Sequence, residues 1–529
     1  MNTKLLKQKI LDLAIRGKLT QQLKNDGTAA DLLKEIVDAK SALSQPKGKK
    51  SKRFVPISRI YCENGVWFEQ LENAKPKDIS EEIPFEIPEN WTWCRLECVC
   101  FDIADIDHKM PAVCDNGIPY ISPLNFVANN KIDFAGAKKI SKEDFLQLSK
   151  KCKPERGDII FPRYGTIGVI RTVETDIDFL VSYSCATIKP CKNHMDARYV
   201  SALLQSPLIQ EIEIPRYINK TTQANVGLQS IKKFLFALPP LAEQQRIVAK
   251  IEEAFAEIDA IEKNKELLKT HIKQTRQKIL DLAIHGKLVP QNKSDEPASI
   301  LLERITRDNP HYEKMGLDER RETKDERDSN YKRHSREGGN LPPMLSKDEV
   351  PFEVPENWCW CRLGDICKAS SGKTPSTENN EFWGGDILWV TSKDVKQKYI
   401  ESTQIHLSEL GAQTMNLYRP NTMIIVGRSG ILRHTLPVAI LKRTATINQD
   451  LKALVFADEK IVEFVYVVLK AMMSHLLHEY KKAGTTVDNL NFDLFLTAPI
   501  PLPPLAEQSR IVAKIEELFA ELDLILQNV

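Results

Sequence analysis

The fold is decided by residues 239–288, which read PPLAEQQRIVAKIEEAFAEIDAIEKNKELLKTHIKQTRQKILDLAIHGKL. Apolar side chains recur there at alternating steps of four and three residues, and this spacing of about 3.5 residues keeps one narrow seam of a helix facing a partner helix. Pro239 and Pro240 precede the pattern, and Gly286 and Pro290 follow it, as expected at helix ends. The stretch predicts a helix of roughly 40 residues, about 60 Å long. Its seam consists of Ile247, Ile251, Ile258, Ile261, Leu268, Ile272, Ile279 and Leu282.

Both ends of the chain repeat parts of this stretch. Residues 503–529 begin PPLAEQSRIVAKIEE and repeat its first half, and residues 8–19, QKILDLAIRGKL, repeat residues 277–288. The repeated seam continues through Ile511, Ile515, Leu518 and Leu522. Because a helix with a long seam needs a partner, we expect the two chain ends to pair antiparallel with the middle. Such pairing would create a pseudo-twofold axis across the helices.

Composition narrows the class of protein. The chain has 529 residues, 42% of them hydrophobic, and a net charge of +2, so two or three domains with real cores are expected and no partner is favoured by bulk charge. No apolar run is long enough for a membrane span. The eleven cysteines show neither disulfide nor zinc spacing, which predicts a cytoplasmic chain with buried thiols and no metal.

The repeat extends beyond the helices. FEIPENWTWCRL at 85–96 returns as FEVPENWCWCRL at 352–363, and the segments between the anchors follow a common order of apolar strands and amphipathic helices. Each copy therefore reads as a mixed α/β domain of about 150 residues. The stretches 42–82 and 306–348 read as loosely ordered linkers, and the basic run at 47–53 is either a solvated linker or a phosphate contact.

Known catalytic motifs are missing from the sequence. CKASSGKT at 367–374 resembles a phosphate-binding loop, but Cys367 stands where that loop needs glycine. The amino-methylating tetrapeptide, zinc-protease, serine-hydrolase and helicase patterns do not occur. We therefore expect a chain without catalytic residues.

Polar turns recur at equivalent places in the two domains. A predicted apolar strand is followed by the turn Arg163-Tyr164-Gly165 in the first domain and by the turn Arg428-Ser429-Gly430 in the second. An arginine in a turn that contains glycine can present its guanidinium group to the edge of a guanine base. Threonine side chains and backbone N–H groups can bind phosphates. The candidate DNA contacts are Arg163, Tyr164, Lys220, Thr221, Thr222, Lys373, Thr391, Lys393, Arg428, Ser429, Gln449, Thr485 and Thr486.

The doubled PPLAEQ-x-RIVAKIEE helices, the QKILDLAI-x-GKL segments and the PENW anchors resemble the specificity (S) subunit of type I restriction–modification systems. The resemblance covers both chain ends, the middle and both domains. It implies two target-recognition domains separated by an antiparallel coiled coil, with each domain reading half of a split DNA sequence. It does not assign base contacts residue by residue, because recognition loops are the variable part of the family.

The resemblance also implies partners, and it sets the expected domain boundaries. The partners are double-stranded DNA, two modification (methyltransferase) subunits and, in the full complex, two restriction subunits. S-adenosylmethionine, ATP and magnesium would belong to those subunits, and no cofactor is expected on this chain. The boundaries are a conserved helix at 1–20, a variable linker at 21–84, domain one at 85–240, a central coiled-coil helix at 241–290, a charged linker at 291–350, domain two at 351–503 and a conserved helix at 504–529.

Two alternatives stay open on the sequence alone. One is a non-catalytic coiled-coil scaffold whose domains bind protein, and the other is a self-contained DNA enzyme with an unrecognised site. The anchors around Trp91 and Trp358 fit either a docking surface for partner subunits or the closing core of each domain.

Overall fold

The structure is a computed structural model that describes residues 2–43, 58–71, 74–107, 110–128, 130–218, 224–307, 345–484 and 487–528. The chain forms two units, Met1–Asn264 and Lys265–Val529. One continuous helix of 44 residues, the central helix (Leu241–Ile284), begins in the first unit and ends in the second. The long helix predicted from the seam is therefore confirmed.

The first unit mixes short strands with helices. Besides the central helix, its helices are Thr3–Ile15 (the N-terminal helix), Ala29–Leu43, Lys142–Leu148, Ala197–Gln205, the π-helix Leu208–Glu213, Ile214–Tyr217 and Leu228–Lys232, with single 3-10 turns at Lys24–Asp26, Ser80–Glu82, Leu96–Val99 and Pro123–Asn125. Its strands are Arg59–Glu63, Val66–Gln70, Lys77–Asp78, Thr92–Arg95, Cys100–Ala104, Val113–Cys114, Ile118–Ile121, Lys138–Ile140, Ile159–Pro162, Arg171–Thr172, Leu180–Val181, Cys185–Pro190 and Leu235–Leu238.

The second unit has a related set of elements. Its helices are Ala298–Arg307, Leu363–Ile366, Glu409–Gln413, Val462–Ala471, Met473–Tyr480, Phe492–Phe495 and Leu505–Gln527 (the C-terminal helix), with 3-10 turns at Lys347–Glu349, Asn380–Phe382, Gly430–Arg433 and Glu459–Ile461. Its strands are Cys359–Arg362, Cys367–Ser371, Trp383–Val390, Tyr399–Ile400, His406–Leu407, Met423–Val426, Arg428–Ser429, Val438–Leu441, Ala445–Ile447, Leu451–Phe456, Lys481–Lys482, Asp488–Leu490 and Pro499–Leu502.

Strand order shows that the two units share one topology. The main sheet of the first unit runs in the order Arg171–Thr172, Ile159–Pro162, Cys185–Pro190, Cys100–Ala104. The second unit repeats that order with Val438–Leu441, Met423–Val426, Leu451–Phe456 and Cys367–Ser371, and adds Tyr399–Ile400 at one edge. Each unit also has a parallel pair of strands, Ile118–Ile121 with Leu180–Val181 and Trp383–Val390 with Ala445–Ile447. The predicted duplication of a mixed α/β domain is confirmed.

The repeated sequence motifs meet in a buried junction. In the first unit Glu243, at the start of the central helix, accepts hydrogen bonds from Trp91 Nε1 at 2.9 Å and from Gln22 Nε2 at 2.9 Å. The glutamate is fully buried and the tryptophan is 6% exposed. A buried carboxylate is costly unless it is hydrogen-bonded, so the indole and amide donors are needed to keep it there.

The second unit builds the same junction. Glu507 accepts from Trp358 Nε1 at 3.1 Å and from Gln291 Nε2 at 2.6 Å. Burial raises the pKa of Glu507, against the lowering effect of these two donors. Both PENW tryptophans therefore belong to the domain cores rather than to an exposed docking surface.

Glycine completes each junction. Gly17 and Gly286 end the QKILDLAI segments with φ near +65°, a left-handed conformation that glycine adopts without strain. A Cβ atom built on either residue would lie 2.4 Å from the ring of a PENW proline, Pro88 or Pro355. The glycine of the GKL motif therefore serves both as a helix stop and as a surface on which the next motif packs.

The terminal helices run antiparallel to the central helix within each unit. Lys7 Nζ lies 2.5 Å from Asp259 Oδ1, whereas Gln22, later in the chain, contacts Glu243, near the start of the central helix. In the second unit Arg276 Nη2 lies 2.5 Å from Asp523 Oδ1, while Gln291 contacts Glu507. Within each unit, the terminal helix therefore pairs antiparallel with the central helix, as predicted.

Most of the predicted seam is shielded from solvent, with one exception. Ile247, Ile251, Ile258, Ile272, Ile279, Ile511 and Ile515 are buried, and Leu268, Leu282, Leu518 and Leu522 are half-buried. Ile261 is 45% exposed. The prediction that Ile261 is a buried seam residue is therefore wrong, and polar side chains surround it in the sequence IEKNKE.

The described part of the stretch 42–82 is ordered, which corrects the linker prediction. Strands Arg59–Glu63 and Val66–Gln70 form an antiparallel hairpin around Asn64-Gly65, both of which have positive φ. An Asn-Gly pair between apolar runs is a strong hairpin signal. The basic run at 47–53 and most of 306–348 lie outside the described residues.

Each unit has its own principal hydrophobic core. Within the described residues, no single helix is long and apolar enough to cross a membrane. Two consecutive helices, Glu459–Ala471 and Met473–Tyr480, reach that threshold together but are bent by 73°. The cysteines are free thiols, eight of them buried, and burial raises the pKa of all eight buried thiols.

Candidate nucleic-acid interface

Four loops of the second unit are held together by backbone hydrogen bonds. We call residues 371–376, 391–394, 427–429 and 448–450 the second loop cluster. Lys373 N donates to Ile447 O at 3.0 Å, Asn448 N donates to Val390 O at 3.0 Å, and Arg428 N donates to Asp450 O at 3.1 Å. Loops that are distant in sequence therefore start from one rigid base, as functional loops commonly do.

Side chains in this cluster are both fixed and exposed. Thr374 Oγ1 contacts Gln449 Oε1, and Thr391 Oγ1 donates to Asp394 Oδ2 at 2.7 Å. Trp389 Nε1 donates to the carbonyl of Lys373 at 3.4 Å. The predicted contacts Lys373, Lys393, Arg428 and Gln449 are exposed, whereas Thr391 and Ser429 are half-buried. The structure thus brings together every predicted contact of the second domain that it describes.

The first unit has a matching set of loops. We call residues 122–125, 163–165 and 182–184 the first loop cluster. Ser182 N donates to Ile121 O at 2.8 Å, and Arg163 N donates to Ser184 O at 2.8 Å. These bonds correspond to the bond from Asn448 N to Val390 O and to the bond from Gly427 N to Asp450 O, at 2.8 Å, in the second unit.

Arg163 does not project from its turn, which corrects the prediction for this side chain. It is 4% exposed, and its Nη2 donates to Asp105 Oδ2 at 2.6 Å and to Tyr183 O at 3.0 Å. Strand pairing gives the reason. Cys185 pairs with Pro162 and Leu451 pairs with Val426, so Arg163 corresponds to Gly427 and Tyr164 corresponds to Arg428.

A second set of pairings supports this register. Tyr164 forms a bridge with Asn225, and Arg428 pairs with Asn489 in the same antiparallel sense. Side chains alternate between faces along a strand, so a shift of one residue sends one arginine inward and the other outward. The sequence alignment of Arg163 with Arg428 was one residue out of register, because both positions offer an Arg-x-Gly tripeptide. Lys220, Thr221, Thr222, Thr485 and Thr486 lie outside the described residues.

The two clusters also share a capped turn that the sequence comparison did not single out. Ser122 N donates to Asn125 Oδ1 at 3.0 Å, and Thr391 N donates to Asp394 Oδ2 at 2.8 Å. The signal was present as a hydroxyl residue followed three positions later by Asn or Asp. Among the described residues, no group of three His, Cys, Asp or Glu side chains is placed to hold a metal ion.

Duplicated domains that each carry an equivalent loop cluster define a class of tandem recognition protein. Residues 89–270 and 355–528 match the family described as type I restriction modification DNA specificity domain. These matches cover more than half of the sequence, and the chain belongs to this family with two copies of its domain.

Individual relatives agree with this assignment. The chain is 25% identical to the type I restriction enzyme EcoEI specificity subunit of Escherichia coli, over 98% of this chain and 89% of that protein. It is 35% identical to the EcoR124I/EcoR124II specificity subunit of Escherichia coli over 156 residues, which cover 29% of this chain and 39% of that protein. A chain solved in work on complex assembly and conformational transition of the type I R-M system is 20% identical, with a TM-score of 0.53 over 84% of this chain and 94% of that chain. This last likeness concerns the fold alone.

Family membership confirms the function predicted from the repeated motifs. The chain is a specificity subunit of a type I restriction–modification system, the DNA-recognition part of such a system, and it is not itself an enzyme.

Proposed function

We propose that each domain reads one half of a bipartite DNA target through its own loop cluster. The observation that carries this proposal is the pair of equivalent clusters with different side chains, such as Tyr164 in one and Arg428 in the other. Arginine can donate two hydrogen bonds to a guanine edge, whereas tyrosine offers one hydroxyl and a ring. Different side chains on one backbone plan favour different half-sites.

We further propose that the central, N-terminal and C-terminal helices form one antiparallel coiled coil with a pseudo-twofold axis. Such a coil would set the spacer between the half-sites, since a flexible tether would leave the spacing undefined. The antiparallel contacts within each unit support this arrangement.

The helices are also the proposed docking surface for two modification subunits, with two restriction subunits in the full complex. Pseudo-twofold symmetry would offer two identical subunits equivalent surfaces on one chain. S-adenosylmethionine would then be bound by the modification subunits and ATP and magnesium by the restriction subunits, in the cytoplasm, with none of them on this chain.

The half-site proposal is tested with variants of the second loop cluster. The chain is assembled with the modification subunits of its own system, and its target is determined by binding selection from random duplexes. Lys393→Ala combined with Arg428→Ala is expected to relax selection in one half-site by about tenfold per contacted base pair and to leave the other half-site unchanged. Lys460→Ala, which removes an exposed lysine outside the cluster, is the control. Equal relaxation in both half-sites would contradict the proposal.

A further inference from the structure

The most exposed large apolar side chain of the described residues lies in the first loop cluster. Leu124 is 93% exposed, at the centre of the turn Pro123–Asn125. Single apolar side chains are common on protein surfaces, so exposure alone is not evidence for a functional role. The position of Leu124 is what distinguishes it.

The turn presents Leu124 rigidly. Pro123 restricts the backbone at the first position, and Asn125 Oδ1 accepts from Ser122 N at 3.0 Å. Asn125 O also accepts from Asp133 N at 2.8 Å, which ties the turn to the following segment. A side chain on so constrained a turn loses little backbone freedom when it makes a contact.

Leu124 occupies the position that a lysine occupies in the second domain. Both turns follow directly on the longer strand of the parallel pair, after Ile121 and after Val390. Counting from the capping residues Ser122 and Thr391, Leu124 corresponds to Lys393, which is also exposed. One domain therefore presents an apolar group where the other presents a cation.

We propose that Leu124 is a specificity-determining residue that packs against the C5-methyl group of a thymine in the half-site of the first domain. The inference rests on the proposed function. Among the groups that the base edges present in the major groove, the thymine methyl is the one apolar substituent, and the polar groups are hydrogen-bond donors or acceptors. A leucine that offers no hydrogen bond can distinguish bases at that edge through this methyl alone.

The experiment replaces each thymine of the selected target with uracil, which lacks the methyl group. The full chain is assembled with its modification subunits, and dissociation constants are measured for each duplex. For the wild type, one replacement in one half-site is expected to weaken binding about fourfold, as for loss of one buried methyl group. For Leu124→Ala, that replacement is expected to have no effect, while the other thymines behave as in the wild type.

Controls separate this inference from the proposed function. Leu146→Ala removes another exposed leucine of the first unit, outside the loop cluster, and is expected to keep the wild-type thymine profile. The inference is overturned if Leu124→Ala keeps that profile too, if the half-site contains no thymine, or if the variant fails to assemble with the modification subunits. A wild-type complex that selects no bipartite sequence would instead overturn the proposed function and the inference together.

Discussion

Arg163 and Arg428 show how one residue of register decides what an arginine does. Arg163 is enclosed with the carboxylate of Asp105, and both side chains are about 5% exposed. Arg428 is exposed on a short strand, with its backbone N–H bonded to Asp450 O. The first arginine therefore contributes to the stability of its domain, while the second is available to a ligand.

Alanine substitution of the two arginines is expected to change the free energy of unfolding by very different amounts. Arg163→Ala removes the 2.6 Å partner of a buried carboxylate and is expected to lower the free energy of unfolding by about 3 kcal/mol. Arg428→Ala is expected to change it by less than about 0.5 kcal/mol, as for surface positions. Urea unfolding of the two variants beside the wild type measures both values. Equal stability of the two variants would show that the buried ion pair does not stabilise the domain.

At the scale of elements, the junction at Glu507 links three motifs that are far apart in the chain. The carboxylate of the C-terminal helix joins Trp358 of the PENW anchor and Gln291, which follows the central helix. Arg510 and Asp295 form an ion pair at 2.7 Å beside it. The same three motifs meet in the first unit, where Glu243 accepts from Trp91 and Gln22.

Burial of Glu507 predicts a pH dependence of stability. Its pKa is raised above the ordinary value of 4.5, so the folded state binds the proton more tightly than the unfolded state does. This contribution to the free energy of unfolding is fully present below the ordinary pKa and is lost as the pH rises through the raised folded-state pKa. Glu507→Gln, which cannot ionise, is expected to lose less stability than the wild type over that range.

Chemical unfolding at a series of pH values between 4 and 8 checks this expectation. Glu517→Gln, at an exposed position of the same helix, is the matched control and is expected to follow the wild type. Parallel curves for wild type and Glu507→Gln would rule out Glu507 as the source of the pH dependence.

At the scale of the whole molecule, the proposed coiled coil would act as a ruler that sets the spacer between the half-sites. Seven residues are inserted into the central helix near Lys265, and seven residues are inserted into the opposite strand of the proposed coil, which the terminal helices form. The seam stays in phase because seven residues are two turns of the 3.5-residue repeat. The inserted variant is expected to select the same two half-sites with a longer spacer. Binding selection with the modification subunits measures both features together. A changed half-site with an unchanged spacer would refute the ruler.

The sequence by itself determined the duplicated plan and the long helix. Local sequence patterns, which depend on residues a few positions apart, indicate the seam, the paired motifs and the common order of apolar runs. It also indicated the family and most of the exposed side chains of the second loop cluster. The Asn-Gly pair at 64–65 is also a local signal, and it indicates the hairpin that the linker prediction missed.

Tertiary structure alone decided which side chains face inward. Whether Arg163 or Tyr164 corresponds to Arg428 depends on pairing with strands that lie about twenty or more residues away, at Cys185 and Leu451. A shift of one residue reverses every side chain of a strand, and the Arg-x-Gly tripeptide shared by 163–165 and 428–430 favours the wrong register when it is read locally.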